Sequence, residues 1–189
     1  VVIILISLIT ILSGIAAWFI LSEDDGGENT NIGSFKSGMT EIISVLKMPV
    51  VWLISIVVLA AYSAYWGTYR FTSYSTDIFS LSVVVAGAIS IGKMAMSPPS
   101  ALVAGYVSDK IGIAKSVSIL FMILILTFLI FAFMPGLPSL LPFMITNIAI
   151  ASLAVFALRG IYFALLEEGG IPMKVTGTAT GFISMIGFT

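Results

Sequence analysis

The stretch of sequence that decides the fold runs from Ser116 to Leu158 and reads SVSILFMILILTFLIFAFMPGLPSLLPFMITNIAIASLAVFAL. It contains 43 residues without a charge, and the turn Pro135-Gly136-Leu137-Pro138 divides it into two segments. A helix needs about 20 mostly apolar residues to cross a bilayer, so each segment predicts one membrane-spanning helix. Neither segment alternates polar and apolar residues as the strands of a membrane barrel do. The stretch therefore predicts an all-α membrane protein.

The whole chain shares this apolar character. Of the 189 residues, 59% are hydrophobic and 9% are charged, and the mean hydropathy is +1.18. A soluble domain has about 45–50% apolar and about 25% charged residues, and disorder requires low hydrophobicity with a high net charge. The composition therefore excludes both classes and indicates an integral membrane protein with a polytopic helix bundle.

The absence of two residue types excludes several kinds of chemistry. The chain has no cysteine and no histidine, so it cannot form a disulfide framework, a zinc site of the usual Cys/His type or a Ser-His-Asp triad. A formal net charge of −1 offers no basic surface to nucleic acid. We therefore expect no metal site, no cofactor and no nucleic-acid partner.

Uncharged runs elsewhere in the chain predict further spanning helices. Together with the first two, the predicted spans are residues 1–21, 49–70, 78–106, 116–134, 139–165 and 176–189. The first of these begins, and the last ends, within an apolar run. We therefore expect the chain to be an internal piece of a longer protein, so that part of any binding site lies outside it.

One polar segment, residues 22–47, connects the first two predicted spans. Its first part, up to Gly38, is rich in Gly, Asn and Ser and contains four acids, and the sequence MTEIISVLKMP follows. Thr40 can cap a short amphipathic helix on the membrane surface, and a flexible connector is an equally good interpretation. Five lysines fall on the same side of the membrane as this linker, against Arg70 on the other, so the positive-inside rule predicts that the linker is cytoplasmic.

A predicted loop between spans, residues 105–115, carries the motif GYVSDKIGIAK. It resembles the signature Gly-x-x-x-Asp-(Arg/Lys)-x-Gly-(Arg/Lys)-(Arg/Lys) of the major facilitator superfamily, with matches at Gly105, Asp109, Lys110 and Gly112. The two basic positions after Gly112 are apolar here, which fits the weaker second-half copy of the signature. The alternative interpretation is a positive-inside turn that contains glycines by chance.

Each matching residue has a physical role in such a loop. Gly105 allows two helices to approach closely, and Gly112 permits the tight turn. Asp109 can accept hydrogen bonds from the N-terminus of a neighbouring helix, where the dipole favours a carboxylate. Lys110 holds the loop at the anionic inner surface of the membrane.

The resemblance implies a twelve-helix secondary transporter of which the chain covers helix six to the start of helix eleven. Residues 1–21 would be the last helix of the N-terminal bundle, and residues 22–47 the linker with its surface helix. Residues 48–189 would be the C-terminal bundle, with about four complete helices and the start of a fifth. Residues 62–79 and 158–181 further resemble bacterial carriers of sugars, sugar acids and sugar phosphates, which implies a bacterial inner-membrane protein.

Lys93 is the residue that we expect to bind the substrate. It lies 16 residues from both Asp77 and Asp109, about 24 Å along a helix, whereas an extended lysine side chain reaches only about 6 Å towards the interface. A charge at mid-depth costs about 2.5–3.5 kcal/mol on insertion scales, which indicates a water-filled cavity and an anionic partner. That partner is either a carboxylate or phosphate of the substrate, or an acid elsewhere in the protein that forms a structural ion pair.

Four further residues are candidates for the site. Tyr62 and Trp66 lie deep in the second span at helical spacing and could stack on a sugar, although aromatic residues near helix ends commonly belong to the interfacial belt. Asn147, in the middle of a later span, can face either the cavity or a neighbouring helix. Arg159 follows Ser139 by 20 residues, about 30 Å, so we expect it near the inner interface, where it would either snorkel or form a cytoplasmic gate with Glu167 and Glu168.

The last predicted span begins with small residues, including Gly177 and Gly181, four positions apart. Such spacing lets helix backbones pack closely in a bilayer. By the resemblance, this helix start would receive the signature aspartate of the N-terminal half of the protein.

Together these observations predict part of a secondary active transporter that moves a small polar solute, a sugar or an organic anion, by alternating access. No nucleotide-binding motif is present, so transport would be coupled to an ion gradient, as in a proton or sodium symporter, or to exchange. The alternatives are a non-transporting membrane scaffold or subunit and an intramembrane enzyme that would pair Lys93 with Ser90 or Ser97. We expect that the protein is not an enzyme.

Overall fold

The structure is a computed structural model that describes residues 2–20 and 35–188, and every regular element in these ranges is a helix. The predicted all-α class is thereby confirmed. The chain divides into two compact units, Val1–Gly38 and Met39–Thr189. Half of the predicted polar linker, residues 22–34, lies outside the described ranges, so the predicted division into an N-terminal helix, a linker and a C-terminal bundle stays a prediction.

Helix α1 (Val2–Ile20) is the regular element of the first unit. Its 19 residues give a length of about 28 Å, which is close to the thickness of a bilayer core. Large apolar side chains such as Ile4, Leu8 and Ile11 are exposed. Helix α1 is therefore suited to contact with lipid or with other helices.

Helix α2 (Phe35–Leu46) replaces the flexible connector that was the alternative prediction for this region. It begins five residues before Thr40, so the predicted cap at Thr40 is wrong and that residue lies within the helix. Ile42 and Ile43 are exposed, whereas Val45 is buried. The apolar side chain of Val45 therefore packs within the protein, whereas those of Ile42 and Ile43 do not.

The first span of the second unit is interrupted about two thirds of the way along it. It begins with Pro49 in the first turn of α3 (Pro49–Gly67), where a missing N–H costs little. A 3₁₀ turn, Thr68–Arg70, leads from α3 into α4 (Phe71–Asp77). The resulting span of 29 residues is seven residues longer than predicted, because the polar residues after Arg70 continue the helix.

The next span is also interrupted. Helix α5 (Val83–Ala95) begins at Ser82, whose side chain accepts a hydrogen bond from the Val85 N–H, and helix α6 (Ser97–Ile111) follows after Met96. Pro98 and Pro99 in the first turn of α6 lack the N–H groups that would continue the hydrogen-bond ladder of α5. The α-helix is thus interrupted at Met96, directly before these prolines.

One uninterrupted span, a third span with a 3₁₀ turn and one shorter helix complete the second unit. Helix α7 (Ile113–Phe133) is followed by a 3₁₀ turn (Pro138–Leu140), helix α8 (Leu141–Ile161), a 3₁₀ turn (Tyr162–Ala164) and helix α9 (Leu165–Glu168). Residues Pro138–Glu168 form one apolar span of 31 residues. The last described helix is α10 (Met173–Gly187).

Helix α8 is the centre of this unit, and α6 and α7 pack against it. Its side chains with no exposed surface include Met144, Ala151, Val155 and Leu158. Such complete burial requires neighbours on several sides of one helix, and it explains why α8 is apolar around most of its circumference.

Glycines allow the two closest helix approaches. A Cβ at Gly160 of α8 would lie 3.1 Å from the Ala101 Cα on α6, and a Cβ at Gly187 of α10 would lie 3.0 Å from the Val58 Cβ on α3 and nearer still to Val58 Cγ1. Helices in a bilayer associate through such close packing, because lipid provides no hydrophobic driving force.

We predict that Gly187→Ala lowers the thermal stability of the protein in nanodiscs, at a cost of about 1–3 kcal/mol, because the added methyl group overpacks the contact with Val58. Gly87 is a matched control on α5, since a Cβ there would meet no atom within 4 Å. Gly87→Ala should be neutral or stabilise by up to about 1 kcal/mol through a lower backbone entropy of the unfolded chain. Equal effects of the two substitutions would contradict the close packing of α10 on α3.

Candidate functional site

Lys93, the predicted substrate-binding residue, is buried between two interrupted spans. Its side chain is 4% exposed, and Nζ donates hydrogen bonds to the Thr68 carbonyl oxygen (3.0 Å) and to Thr68 Oγ1 (3.1 Å). Thr68 begins the 3₁₀ turn between α3 and α4, and its carbonyl also accepts the N–H of Phe71. A carbonyl oxygen has two lone pairs, so the turn supplies the ammonium with an acceptor inside a membrane-spanning segment.

No carboxylate of the described residues forms an ion pair with Lys93. The acids in that part of the chain lie in α2 or at the ends of spans, namely Glu41, Asp77, Asp109, Glu167 and Glu168. A lysine ammonium has three N–H donors, and Thr68 takes two of them. One donor and one positive charge are therefore left for an anion from outside the described residues.

Tyr69 covers the ammonium on its more open side. The ring centroid of Tyr69 lies 4.8 Å from Lys93 Nζ, which is within the range of a cation–π interaction. The Tyr69 side chain is 45% exposed, although the ammonium beneath it is buried. The Tyr69 hydroxyl is hydrogen-bonded to the Tyr65 hydroxyl at 2.7 Å. The tyrosine beside the ammonium is thus tied to a second tyrosine.

The predicted stacking residues Tyr62 and Trp66 belong to the same aromatic cluster. Ring centroids are 6.0 Å apart for Tyr62 and Tyr65, 6.2 Å apart for Tyr62 and Trp66, and 5.3 Å apart for Trp66 and Tyr69. Trp66 is 57% exposed and Tyr62 is half-buried. The rings of Tyr62 and Trp66 are therefore linked through Tyr69 to the ammonium of Lys93.

Arg159 does not occupy the predicted position beside Glu167 and Glu168. Its guanidinium Cζ lies 4.1 Å from the centroid of the Tyr65 ring, with the Tyr162 hydroxyl beside it. The prediction measured depth from Ser139 over a span of one core thickness, whereas the actual span of 31 residues continues for nine residues beyond Arg159. The guanidinium therefore reaches the aromatic cluster of α3.

A small cavity of about 180 Å³ opens beside Lys93. Residues of α5, α8 and the turn between α5 and α6 form its walls, among them Gly92, Met96, Ala149 and Ser152. The Ser152 hydroxyl donates to the Ile148 carbonyl of its own helix. The cavity thus presents mostly apolar walls to the stem of Lys93.

Asn147 lies apart from this cavity, between α7 and α8. It is 3% exposed, and its Nδ2 donates a hydrogen bond to the Thr127 carbonyl oxygen (3.1 Å). Of the two orientations that the sequence left open, the structure has the one towards a neighbouring helix. This placement joins two helices and gives the side chain no contact with the Lys93 cluster.

The serine partners of the enzyme alternative are engaged elsewhere. The Ser90 hydroxyl is hydrogen-bonded to Thr72, and the described hydrogen bonds of Lys93 both go to Thr68 rather than to Ser97. A serine nucleophile requires a base within hydrogen-bond distance. The described residues do not bring Lys93 and a serine together in this way.

The signature loop is a helix–turn–helix at the end of α6. Asp109 and Lys110 are exposed in the last turn of α6, and Lys110 Nζ lies 4.2 Å from the Tyr106 ring centroid. Gly112 has a φ of +94°, a conformation that L side chains rarely adopt. Gly105 is half-buried, and a Cβ there would meet no described atom within 4 Å.

Glu168 caps the helix that follows this loop. Its Oε2 accepts a hydrogen bond from the Ala114 N–H (2.8 Å) in the first turn of α7. A carboxylate at a helix N-terminus is stabilised by the unpaired N–H groups and by the helix dipole. The sequence analysis assigned this kind of contact to Asp109, but the described residues place Glu168 there.

The glycines predicted to pack, Gly177 and Gly181, lie on an open face of α10. A Cβ at either position would meet no described atom within 4 Å, whereas Ala179, Ile183 and Gly187 are buried on the face towards α3. The predicted packing of Gly177 and Gly181 against another part of the protein stays a prediction.

A larger cavity of about 440 Å³ lies between α6, α7 and α8. Its polar lining residues are Ser100 and Ser116, and both hydroxyls donate to carbonyls of their own helices. This cavity offers a polar solute no group that would orient it. We therefore assign the candidate site to the cluster around Lys93.

Three residues that define the cluster were not among the predicted site residues: Thr68, Tyr65 and Tyr69. Their importance depends on contacts between residues far apart in sequence, such as the bond from Lys93 to Thr68. The one local signal was the sequence YWGTY within an apolar span, since glycine followed by threonine favours a local departure from the α-helix.

Comparisons with known proteins agree with the fold and the predicted resemblance. Residues 1–189 match the family described as Major Facilitator Superfamily. The Escherichia coli (strain K12) protein "Inner membrane protein YqcE" is 28% identical over 99% of this chain and 45% of its own length. "Inner membrane protein YihN" of the same strain is 28% identical over 96% of this chain and 44% of its own length. No solved structure matches the chain significantly.

The chain thus spans slightly less than half the length of these curated relatives. Three helical segments of the described ranges are long and apolar enough to cross a membrane, namely Pro49–Asp77, Ile113–Phe133 and Pro138–Glu168. With relatives that are inner membrane proteins, the predicted multi-pass inner-membrane localisation is confirmed. The predicted cytoplasmic side of the linker stays a prediction.

We predict that Thr68→Val lowers the thermal stability in nanodiscs by about 1.5–3 kcal/mol, the usual contribution of a hydrogen bond to a charged group, because Lys93 loses one acceptor. In a Lys93→Met background the same substitution should cost much less, since no ammonium needs that acceptor, and a double-mutant cycle measures the difference. Thr68→Ser retains the hydroxyl and serves as the control. An equal cost of Thr68→Val in both backgrounds would show that the two side chains are not coupled.

Proposed function

Since this chain belongs to the major facilitator superfamily, we propose that it forms part of a secondary active transporter for a small polar solute, an organic anion or a sugar with an anionic group. Members of this family are in general membrane transporters rather than enzymes. The remainder of the transporter would supply a second helix bundle, in line with the fraction of the curated relatives that this chain spans.

The observation that carries the proposal is the buried ammonium of Lys93 without a carboxylate partner among the described residues. A buried charge is stable only when other groups compensate it. The neutral oxygens of Thr68 solvate the ammonium in part but leave its charge uncompensated. An anionic solute supplies the missing charge when it binds, and this differential interaction gives the site its affinity.

The neighbouring aromatic residues support a solute that is also hydroxylated. Tyr69 is exposed beside Lys93, Trp66 is exposed next to Tyr69, and Tyr62 packs edge-on against Trp66 at an interplanar angle of 88°. Aromatic faces with a hydroxyl nearby provide apolar area together with hydrogen-bonding capacity. This combination suits a sugar acid better than a purely apolar anion.

Two of the interrupted spans meet at this cluster, which supports alternating access. Thr68 lies in the 3₁₀ turn of the first span, and Lys93 lies three residues before the break of the second at Met96. Broken helices near the middle of the bilayer commonly form the sites of transporters. A change of angle at these two breaks would move the walls of the site without unfolding either helix.

Energy would come from a proton or sodium gradient or from exchange of solutes. The described acids lie in α2 or at the ends of spans, so a coupling carboxylate at mid-depth would belong to the remainder of the transporter. The positive charge of Lys93 can itself take part in coupling. Because the buried ammonium is more stable with a bound anion, replacement of one anionic solute by another is favoured over release of the first alone.

We predict that sugar acids raise the melting temperature of the complete transporter in lipid nanodiscs, whereas neutral sugars do not. Binding to the folded state stabilises it by mass action, so a ligand at 100 times its Kd adds about 2.7 kcal/mol. Lys93→Gln should abolish this shift, because it removes the charge but retains a hydrogen-bond donor. Uptake of the same ligand into proteoliposomes should fall in parallel.

Lys174→Gln is the matched control, since it makes the same chemical change at an exposed position in the first turn of α10. It should leave both the thermal shift and the uptake unchanged. If Lys93→Gln behaves like Lys174→Gln, the ammonium is structural and the proposed anion site is wrong. Binding without uptake in any gradient would instead favour the membrane scaffold or subunit.

A further inference from the structure

Two cations, rather than one, lie at the ends of the hydrogen-bonded tyrosine pair. Lys93 Nζ is 4.8 Å from the Tyr69 ring centroid, and Arg159 Cζ is 4.1 Å from the Tyr65 ring centroid. The two rings are 5.3 Å apart, and their hydroxyls are hydrogen-bonded. From this arrangement, and on the basis of the proposed function, we infer that the site selects solutes with two anionic groups joined by a hydroxylated middle.

The Arg159 end of the cluster is open to a ligand. Arg159 is exposed, and no described carboxylate forms an ion pair with it. The guanidinium lies over the Tyr65 ring and is hydrogen-bonded to the Tyr162 side chain, and its five N–H donors leave capacity for a further acceptor. A carboxylate or phosphate can accept two of these N–H groups in the bidentate geometry that arginine favours.

The Lys93 end is covered until a ligand arrives. Tyr69 lies over the ammonium, whose third N–H is not used by Thr68. An anion that displaces the Tyr69 ring exchanges a cation–π interaction for a charge-assisted hydrogen bond, which is the stronger of the two. The displacement therefore favours an anionic group over a neutral one at this end.

The segment between the two cations is polar but uncharged. It consists of the paired hydroxyls of Tyr65 and Tyr69, bordered by the aromatic rings of Tyr62 and Trp66. Each tyrosine hydroxyl can donate one hydrogen bond and accept others. The hydroxyl groups of a ligand can therefore replace the Tyr65–Tyr69 bond when Tyr69 moves, whereas a hydrocarbon chain would leave these hydroxyls without a partner.

The two ends are coupled through the tyrosines. Movement of Tyr69 away from Lys93 breaks or bends its hydrogen bond with Tyr65, and Tyr65 is the ring on which Arg159 stacks. A ligand with a single anionic group compensates one cation and leaves the other without a counter-charge. A ligand with an anionic group at each end compensates both, so the geometry discriminates by the number of anionic groups rather than by total size.

The test uses a matched series of six-carbon ligands, glucitol, gluconate and glucarate, which carry no, one and two carboxylates on the same kind of hydroxylated chain. Affinities for the complete transporter in nanodiscs are measured by thermal shift and by calorimetry. We expect glucarate to bind at least about tenfold more tightly than gluconate, as one additional charge-assisted contact implies. Glucitol should show no measurable binding. The four-carbon series of erythritol, threonate and tartrate tests whether a shorter distance between the carboxylates reduces the preference.

The decisive variant is Arg159→Gln. It should weaken glucarate binding by about tenfold, to the level of gluconate, and change gluconate binding by no more than about twofold. Arg159→Lys retains the charge without the planar fork and should recover part of the preference for glucarate, which also controls for a folding defect of the glutamine variant. Lys174→Gln should change neither affinity.

The outcomes separate this inference from the proposed function. If glucarate and gluconate bind equally and Arg159→Gln affects neither, while Lys93→Gln abolishes both, the second anionic subsite is wrong and the anion transporter stands. If Lys93→Gln leaves both affinities unchanged, the proposed function itself is wrong. If no member of either series binds, the preference for hydroxylated dianions is overturned.

Discussion

The bond between the Lys93 ammonium and Thr68 is the interaction on which the arrangement of the site depends. In a bilayer no water is available to solvate a backbone group that a helix has left exposed or a charge that a side chain has brought in. Here the two requirements meet, because a 3₁₀ turn in one span presents a carbonyl and a hydroxyl to an ammonium from the next. The turn and the lysine therefore stabilise each other, and neither is favourable alone.

The same bond determines which side chains surround the ammonium. The turn Thr68–Arg70 places Tyr69 over Nζ, and Tyr69 in turn meets Tyr65 on the preceding helical turn of α3. Arg159 arrives from α8, a helix that is buried along most of its length and is thus fixed in position. A local departure from α-helical geometry is in this way translated into a cluster of aromatic rings with a cation at each end. Burial of the Lys93 ammonium lowers the stability of the fold, and in return the charge provides specificity.

Much of the fold could be predicted from the sequence, because the spacing of charges in an apolar chain fixes where helices cross a membrane. Lys93 could be identified as buried by the same argument, since its distance from Asp77 and Asp109 allows no escape to an interface. The contacts of Lys93 could not be predicted, because the register between α3 and α5 depends on packing. Arg159 shows the reason most clearly: the depth estimate from Ser139 assumed a span of ordinary length, and the actual span is 31 residues long. Asn147 and Glu168 likewise depend on which neighbouring helix offers a carbonyl or an N–H.

The two faces of α10 differ in a way that affects how this helix can move. On one face, Gly187 is in such close contact with Val58 of α3 that no side chain could be accommodated there without a shift. On the other, Gly177 and Gly181 present bare backbone without protruding side chains at those positions. Ridges and grooves lock helices into register, so a surface without ridges resists sliding only weakly. Helix α10 is therefore held by α3 on one face. The opposite face, with Gly177 and Gly181, lacks the side chains that would resist sliding of a neighbouring helix.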